Sequence, residues 1–454
     1  MDDHPLLTTT VAHATEFLDS LPDRPVAASA SAGDIRAALA VTLAEPGVDD
    51  RVVIDELVAA VTPGLVASAG PRYFGFVTGG ALPVAVAADW LTSTWDQNGA
   101  SEMISPAAAA AEDVAIDWAR DLLGLPANAS GAVVVGAQAG NTLGVTVGRD
   151  ALLHRIGWDV VEDGLAGSPP ITVIAGDERH LTVDRALRFA GLGRADILVP
   201  ACSDGSMDPD ALAGALDDAP GPTLVCTQAG NVNSGAFDPF GPIIETAHAQ
   251  GAWVHVDGAF GLWAAASSTR AHLTDAVEGA DSWVVDGHKW LNMPYDGAFM
   301  FCAHPEDHHR STSGQAAYLP SGSGRDPLDW SQDASRRARG FVLYATLRAL
   351  GRDGVADMVD RCCDLAADFA RRVDGRAGLS VRNEVVLNQV VVDAGPADRA
   401  HRLVEAVQAD GTCWMGPTMW RGRPGLRISV SNWATTTADI DRSADALVAA
   451  AEGL

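Results

Sequence analysis

Apolar positions follow two rhythms along the chain. Near the start, Val11, Ala14, Phe17, Leu18 and Leu21 recur at three- and four-residue spacings and predict one face of a helix, which Pro22 and Pro25 of LPDRPV end. An apolar face on a peripheral helix needs cover, from the rest of this chain or from a second copy. From about residue 80 to 305 the rhythm shifts to short runs that are apolar throughout, at 171–175, 197–200, 223–227, 253–256, 283–285 and 298–301. Amphipathic stretches such as 209–216 and 242–250 lie between them. Together they predict an α/β fold with a mostly parallel sheet covered on both faces. In such sheets the loops after the carboxyl ends of strands carry the ligand.

Residues 305–333 break this pattern. The stretch AAYLPSGSGRDPLDWSQD is rich in Gly, Ser, Pro and Asp and predicts a long loop, either a plain connection or a lid. Beyond it, helices are predicted at 336–350, 355–373, 398–408 and 437–451, with strands at 385–392 and 425–430. The expected organisation is an N-terminal helical segment (1–60), a large α/β domain (61–333) and a small α+β domain (334–454).

Composition narrows the function classes. Hydrophobic residues make up 47% and charged residues 20%, without long polar or repetitive tracts, as in a globular protein with a large core. Acidic residues outnumber basic ones by 59 to 31, so the formal charge of −28 repels phosphate backbones and speaks against nucleic acid as a partner. None of the six cysteines forms a C-x-x-C pair, which points away from zinc and dithiol chemistry and towards reduced thiols. MDDHPLLTTT has no signal-like apolar run, and no segment approaches the ~20 apolar residues of a membrane span. A cytoplasmic protein without membrane contact is expected.

Four segments carry candidate chemistry. In SWVVDGHKWLN, Lys289 directly follows an apolar strand. A lysine so placed either snorkels to water or is engaged covalently, as in a Schiff base with an aldehyde. In WVHVDGAFG, Asp257 ends a strand and small residues follow, which suits a turn or the approach of a flat ring. In GAVVVGAQAGNTLGV, Gln138, Ala139 and Gly140 fall where a helix N-terminus would offer amides to a phosphate, or where a tight turn would sit. In GDERHLTVDRA, His180 follows a strand, either as a surface residue or as a ring able to stack on a cofactor.

The order of phosphate loop, histidine, V-D-G-A and D-G-H-K-W resembles the group II pyridoxal-phosphate decarboxylases of aromatic-amino-acid and glutamate decarboxylase type. The resemblance runs from LPDRPV to LRISVSNW at 426–433. It implies fold type I, with a mostly parallel seven-stranded-type sheet in the large domain and a small C-terminal domain. It also implies a homodimer with active sites at the subunit interface, pyridoxal 5′-phosphate as cofactor, and decarboxylation of an L-amino acid to an amine. Carried over by motif, Lys289 would form the Schiff base, Asp257 would pair with the pyridine nitrogen and His180 would stack on the ring, these three forming the catalytic set. Ala259 would pack on the ring's opposite face, and His288 would contact the phosphate beside Gln138, Ala139 and Gly140. Asn231 joins this cofactor set. Tyr73, Phe74 and Phe76 of PRYFGFV would face the substrate.

The resemblance further implies a proton-donating tyrosine in the loop. Here Tyr318 lies early in it, and PLDW, with Pro327 and Trp330, stands nearer the RRARG segment at 336–340. Neither proline nor tryptophan can deliver a phenolic proton. That departure admits a second outcome, oxidation to an aldehyde with release of ammonia and peroxide, or transamination or elimination on the same scaffold. A binding protein without catalysis is the third class. Arg427 could hold a carboxylate or serve a structural ion pair.

Overall fold

The structure is a computed structural model that describes residues 4–43, 45–314 and 325–454, so Tyr318 lies outside the described residues. The chain divides into two compact units. One comprises Met1–Thr78, Asp368–Arg382 and Val391–Leu454, the other Gly79–Ala367 and Asn383–Val390. The N-terminal segment falls within the unit that also holds residues 368–382 and 391–454.

The larger unit holds a seven-stranded sheet made of β1 (Ser130–Val134), β2 (Thr172–Gly176), β3 (Ile197–Val199), β4 (Thr223–Gln228), β5 (Trp253–Asp257), β6 (Ser282–Asp286) and β7 (Ala298–Cys302). Its order is β1-β7-β6-β5-β4-β2-β3. β7 runs antiparallel to both neighbours, and the other pairings are parallel. β4 to β7 are buried at every position, which is why their sequences are apolar without alternation. Because β1 and β6 both oppose β7, the carboxyl ends of β1, β2, β4, β5 and β6 share one edge of the sheet. This is the mostly parallel α/β sheet of fold type I.

The helix Ala137–Arg155 crosses the sheet at unusually close range. Gly140, Gly144 and Gly148 recur every fourth residue and so line one face. A Cβ on them would stand 2.3 Å from Val284 Cγ2, 2.5 Å from His255 Cε1 and 2.8 Å from Trp253 Cδ1, respectively. Those distances leave room for hydrogen alone.

The described parts of the stretch 305–333, at 305–314 and 325–333, are less loop-like than its composition predicts. Pro305–Thr312 is a helix, with Pro at its start, Glu306 and Asp307 in its first turn and His309 and Arg310 in its last, all favourable to the helix dipole. Pro327–Trp330 forms a 3-10 turn. It is tied down by His308 Nε2 donating to Trp330 O at 2.9 Å and by Leu328 N donating to Ala100 O at 2.9 Å. The long helix Gly340–Val373 is interrupted at Gly351, whose φ of 62° lies outside the helical region.

The smaller unit carries the helices Pro5–Ser20, Ala32–Leu39, Asp50–Val61, Ala397–Asp410 and Thr437–Glu452. A second sheet has the order β10-β11-β9-β8, formed by β8 (Ser380–Val381), β9 (Gln389–Asp393), β10 (Gly416–Trp420) and β11 (Arg423–Ser429). The three N-terminal helices bury none of their residues, and Leu7, Val11, Leu18, Val52, Val53 and Leu57 stay exposed. Among the described residues no helix is long and apolar enough to cross a membrane.

Candidate active site

Four loops at the carboxyl edge of the large sheet bring the candidate residues together. The helix Ala137–Arg155 starts after β1, His180 follows β2, Asp257 ends β5, and Lys289 stands three residues beyond β6. A single hydrogen-bonded network ties them.

Asp257, 5% exposed, is held at both carboxylate oxygens. Its Oδ1 accepts from Ala259 N at 3.1 Å, and its Oδ2 accepts from Asn141 Nδ2 at 3.0 Å, with Thr182 Oγ1 at 3.4 Å. Thr182 reaches the next candidate as well. His180 caps the helix Leu181–Phe189, its Nδ1 accepting from Thr182 N at 3.3 Å and lying 2.8 Å from Thr182 Oγ1.

Lys289 pairs with Asp286, Nζ to Oδ2 at 2.9 Å. Burial alone would lower the pKa of the ammonium. The Asp286 carboxylate outweighs burial, Asp257 adds to it, and the net shift is upward. Asp286 also accepts from Ala137 N at 2.6 Å and lies 3.5 Å from His288 Nε2. One buried carboxylate therefore joins the lysine to the start of the helix. His288, whose basicity burial lowers, accepts from Gly297 N through Nδ1 at 3.3 Å and packs against Tyr295, with ring centroids 4.4 Å apart.

The phosphate-loop positions form the first turn of a helix, where amides lack intrahelical acceptors. Ala137 N is taken by Asp286, and Gly140 N closes onto Gly136 O at 3.0 Å. The amides of Gln138 and Ala139 remain for an anion, helped by the helix dipole. Gln138 Oε1 is buried with no hydrogen-bond partner among the described residues. Gly140 contributes its lack of a side chain rather than its amide.

This arrangement fits pyridoxal phosphate. It offers two amides at a helix N-terminus, a buried carboxylate, an amine, and the small Ala259 on the loop beyond Asp257. Asn231 is the exception in the expected set. Its Oδ1 accepts from Asn233 N and Ser234 N at 2.8 and 3.1 Å, and its Nδ2 donates to Glu178 Oε2 and Gly205 O at 3.0 and 3.3 Å. All four hydrogen-bonding capacities of the amide are spent, two within its own loop and two on Glu178 and Gly205, leaving none for a cofactor.

The aromatic candidates lie in the smaller unit. Tyr73 stacks on Trp414 at 5.0 Å, and Phe74 is buried, 6.3 Å from Phe369. Phe76 is 64% exposed and leans on Trp414 at 5.4 Å. Phe76 and Val77 have φ of 55° and 56°, a conformation unfavourable to both and costing about 1–3 kcal/mol per residue. Arg427 is half-buried, desolvation lowers its pKa, and no ion pair holds it among the described residues.

Sequence reasoning missed Asp286, Asn141 and Thr182. Asp286 has a testable effect. Asp286→Asn removes the charge that raises Lys289 while keeping an acceptor for Ala137. The variant apoprotein is expected to take up pyridoxal phosphate faster at neutral pH, since a lower Lys289 pKa leaves more of the amine free to react. Growth of the visible absorbance after mixing measures this.

Comparison with known proteins gives a consistent picture. The sequence model of the pyridoxal-dependent decarboxylase conserved domain matches residues 34–394. Tryptophan decarboxylase 1 of Oryza sativa subsp. japonica is 30% identical, covering 94% of this chain and 89% of its own. Phenylacetaldehyde synthase of Arabidopsis thaliana is 24% identical over 83% of this chain and 81% of its own. A crystal structure of Oryza sativa TDC with PLP and tryptamine superposes with a TM-score of 0.92 at 25% identity, covering 100% of this chain and 98% of that one.

Proposed function

Because the chain belongs to the pyridoxal-dependent decarboxylase family and decarboxylates an amino acid with pyridoxal phosphate as cofactor, we propose that its substrate is an aromatic L-amino acid and its product the corresponding arylalkylamine. The observation that carries the substrate class is the similarity, over nearly the whole chain, to a tryptophan decarboxylase. The exposed Phe76, propped on Trp414 by strained backbone, supports it as a candidate contact for a flat side chain.

In this reading each residue has a distinct task. The Gln138 and Ala139 amides and His288 hold the phosphate. Lys289 supplies the amine that joins the cofactor's aldehyde. Asp257, fixed by Asn141, Thr182 and Ala259, stabilises a protonated pyridine nitrogen, and His180 faces the ring. When bound, the cofactor accepts the electron pair left at the α-carbon as carbon dioxide departs. The exposed apolar residues of the N-terminal helices support a homodimer, whose active sites lie at the subunit interface in this reading.

Incubation with tryptophan, tyrosine, DOPA, phenylalanine and glutamate tests the proposal. Carbon dioxide and amine in equal amounts are expected from an aromatic substrate, and turnover of glutamate alone would overturn the substrate class. A second reading has its own support. Residues 325–340 contain no tyrosine, and an aldehyde synthase is among the similar proteins. In that case one amino acid, one O2 and one water give aldehyde, carbon dioxide, ammonia and hydrogen peroxide. Peroxide in step with carbon dioxide would establish it.

A further inference from the structure

Behind Asp257 runs a line of polar groups sealed from solvent. Asn141, His255, Ser282 and Trp253 are each 0% exposed. Asn141 Nδ2 lies 3.0 Å from Asp257 Oδ2, Asn141 Oδ1 lies 2.9 Å from His255 Nε2, His255 Nδ1 lies 2.8 Å from Ser282 Oγ, and Trp253 Nε1 lies 3.0 Å from Ser282 Oγ.

The chemistry of these groups fixes the direction of every bond. An ionised carboxylate only accepts, so Asn141 must turn its amide nitrogen to Asp257 and its carbonyl to His255. Facing a carbonyl, His255 Nε2 must carry the ring proton. Nδ1 is then an acceptor and takes the Ser282 hydroxyl proton, and Ser282 Oγ in turn accepts from the Trp253 indole. All four donors point towards Asp257. Flipping Asn141 would set two oxygens against each other at 3.0 Å in a buried site.

Two further observations show a fixed imidazole. The backbone at Gly144 closes on the ring edge, where a Cβ would stand 2.5 Å from His255 Cε1. Burial pushes the imidazole down to about 4, against the opposing pull of Asp257, so the ring stays neutral at working pH. A doubly protonated ring would have no acceptor for Ser282 and would break the line.

We propose that His255, acting through Asn141, is a positioning residue for Asp257: it holds the carboxylate aimed at the cofactor's ring nitrogen so that this nitrogen stays protonated. The inference rests on the reading of Asp257 as the partner of that nitrogen. His255 touches neither substrate nor cofactor, and its effect travels through two buried hydrogen bonds, each strengthened by the low dielectric around it.

The decisive readout is the 15N resonance of ring-labelled pyridoxal phosphate bound to the holoenzyme, followed from pH 6 to 9. His255→Phe keeps a flat ring but leaves the Asn141 carbonyl without its donor. The affinity of the ring nitrogen for its proton is expected to fall about tenfold, one pKa unit. His255→Gln, which can still donate to Asn141, should restore most of it. A purely structural His255 would lower thermal stability and leave the resonance where it was, and that result would overturn the proposal. Asp257→Ala serves as the control. If it fails to move the resonance, the Asp257 assignment itself is wrong; if it moves the resonance while His255→Phe does not, only the relay is wrong. Should His255→Phe not fold, 15N spectra of the wild-type histidines decide the matter. A bare Nδ1 with a protonated Nε2 supports the relay, and a protonated Nδ1 on His255 refutes it.

Discussion

Lys289→Ala is expected to abolish the visible absorbance of the bound cofactor and to lower kcat/KM by about 10³-fold or more, the scale on which enzymes lose rate when a covalent step is removed. The lysine Nζ pairs with the buried Asp286, and among the described residues no other amine is placed to replace it. Loss of the ammonium also strips that carboxylate of its counter-ion, so a drop in activity alone would confound chemistry with folding. Lys289→Arg separates the two. Its guanidinium can still face Asp286 but forms no stable link to an aldehyde, so this variant should stay folded, colourless and inactive. Visible absorbance and turnover in Lys289→Ala, without added amine, would remove Lys289 from the mechanism.

Arg336→Leu is expected to cost about 3–5 kcal/mol of stability, the range for stripping one partner from a buried ion pair. The guanidinium spans Glu112 at 3.1 and 3.0 Å and donates to Val133 O at 2.6 Å, while the two side chains are only 1% and 2% exposed. It thereby locks the helix Pro106–Leu122 and β1 to the chain that follows the Pro327–Trp330 turn. The effect should depend on pH in a definite sense. Burial already raises the Glu112 pKa, with Arg336 pulling it down, so removing Arg336 raises it further. A carboxyl with a raised folded pKa favours the folded state at low pH and loses that contribution as pH rises through the folded value. The variant should therefore be worst at high pH and recover on acidification. Denaturation midpoints at several pH values test this, and Glu112→Leu added to Arg336→Leu should restore much of the loss. A flat pH response would show that Glu112 stays ionised in the folded variant even without Arg336, its pKa not raised.

The sequence made the central strands legible because they are buried on both faces and read as unbroken apolar runs, as at 223–227 and 253–256. β10 escaped notice: GPTMW is exposed at alternate positions and sits beside RGRPG, which resembles a turn. The helix Pro305–Thr312 was hidden by its polarity, since PEDHHRST buries only His308. Nothing local marks the grouping of the first 78 residues with the last 64, because that is decided by packing across the length of the chain. At the site, Lys289, Asp257 and His180 could be named from motifs because each stands at or just beyond the end of a strand. Their partners could not. Asn141 and Thr182 look like ordinary polar residues near helix starts, and His255 sits inside WVHVD, where a strand reading absorbs it. Only pairing across 114 to 116 residues reveals that Asn141 bridges His255 and Asp257.

Gly140, Gly144 and Gly148 also have a bearing on the heredity of this protein. Any change at the first or second base of a glycine codon replaces the residue. On this ladder every replacement would meet Val284, His255 or Trp253 at less than 3 Å, and each such overfilling costs about 1–3 kcal/mol. Three codons thus form a genetic target on which almost no missense change is silent, although none of the three encodes a side chain. A lineage that keeps this enzyme must purge such alleles continually, and one that has let the activity lapse should show it there early, as side chains accumulating on the ladder while the lysine is still in place.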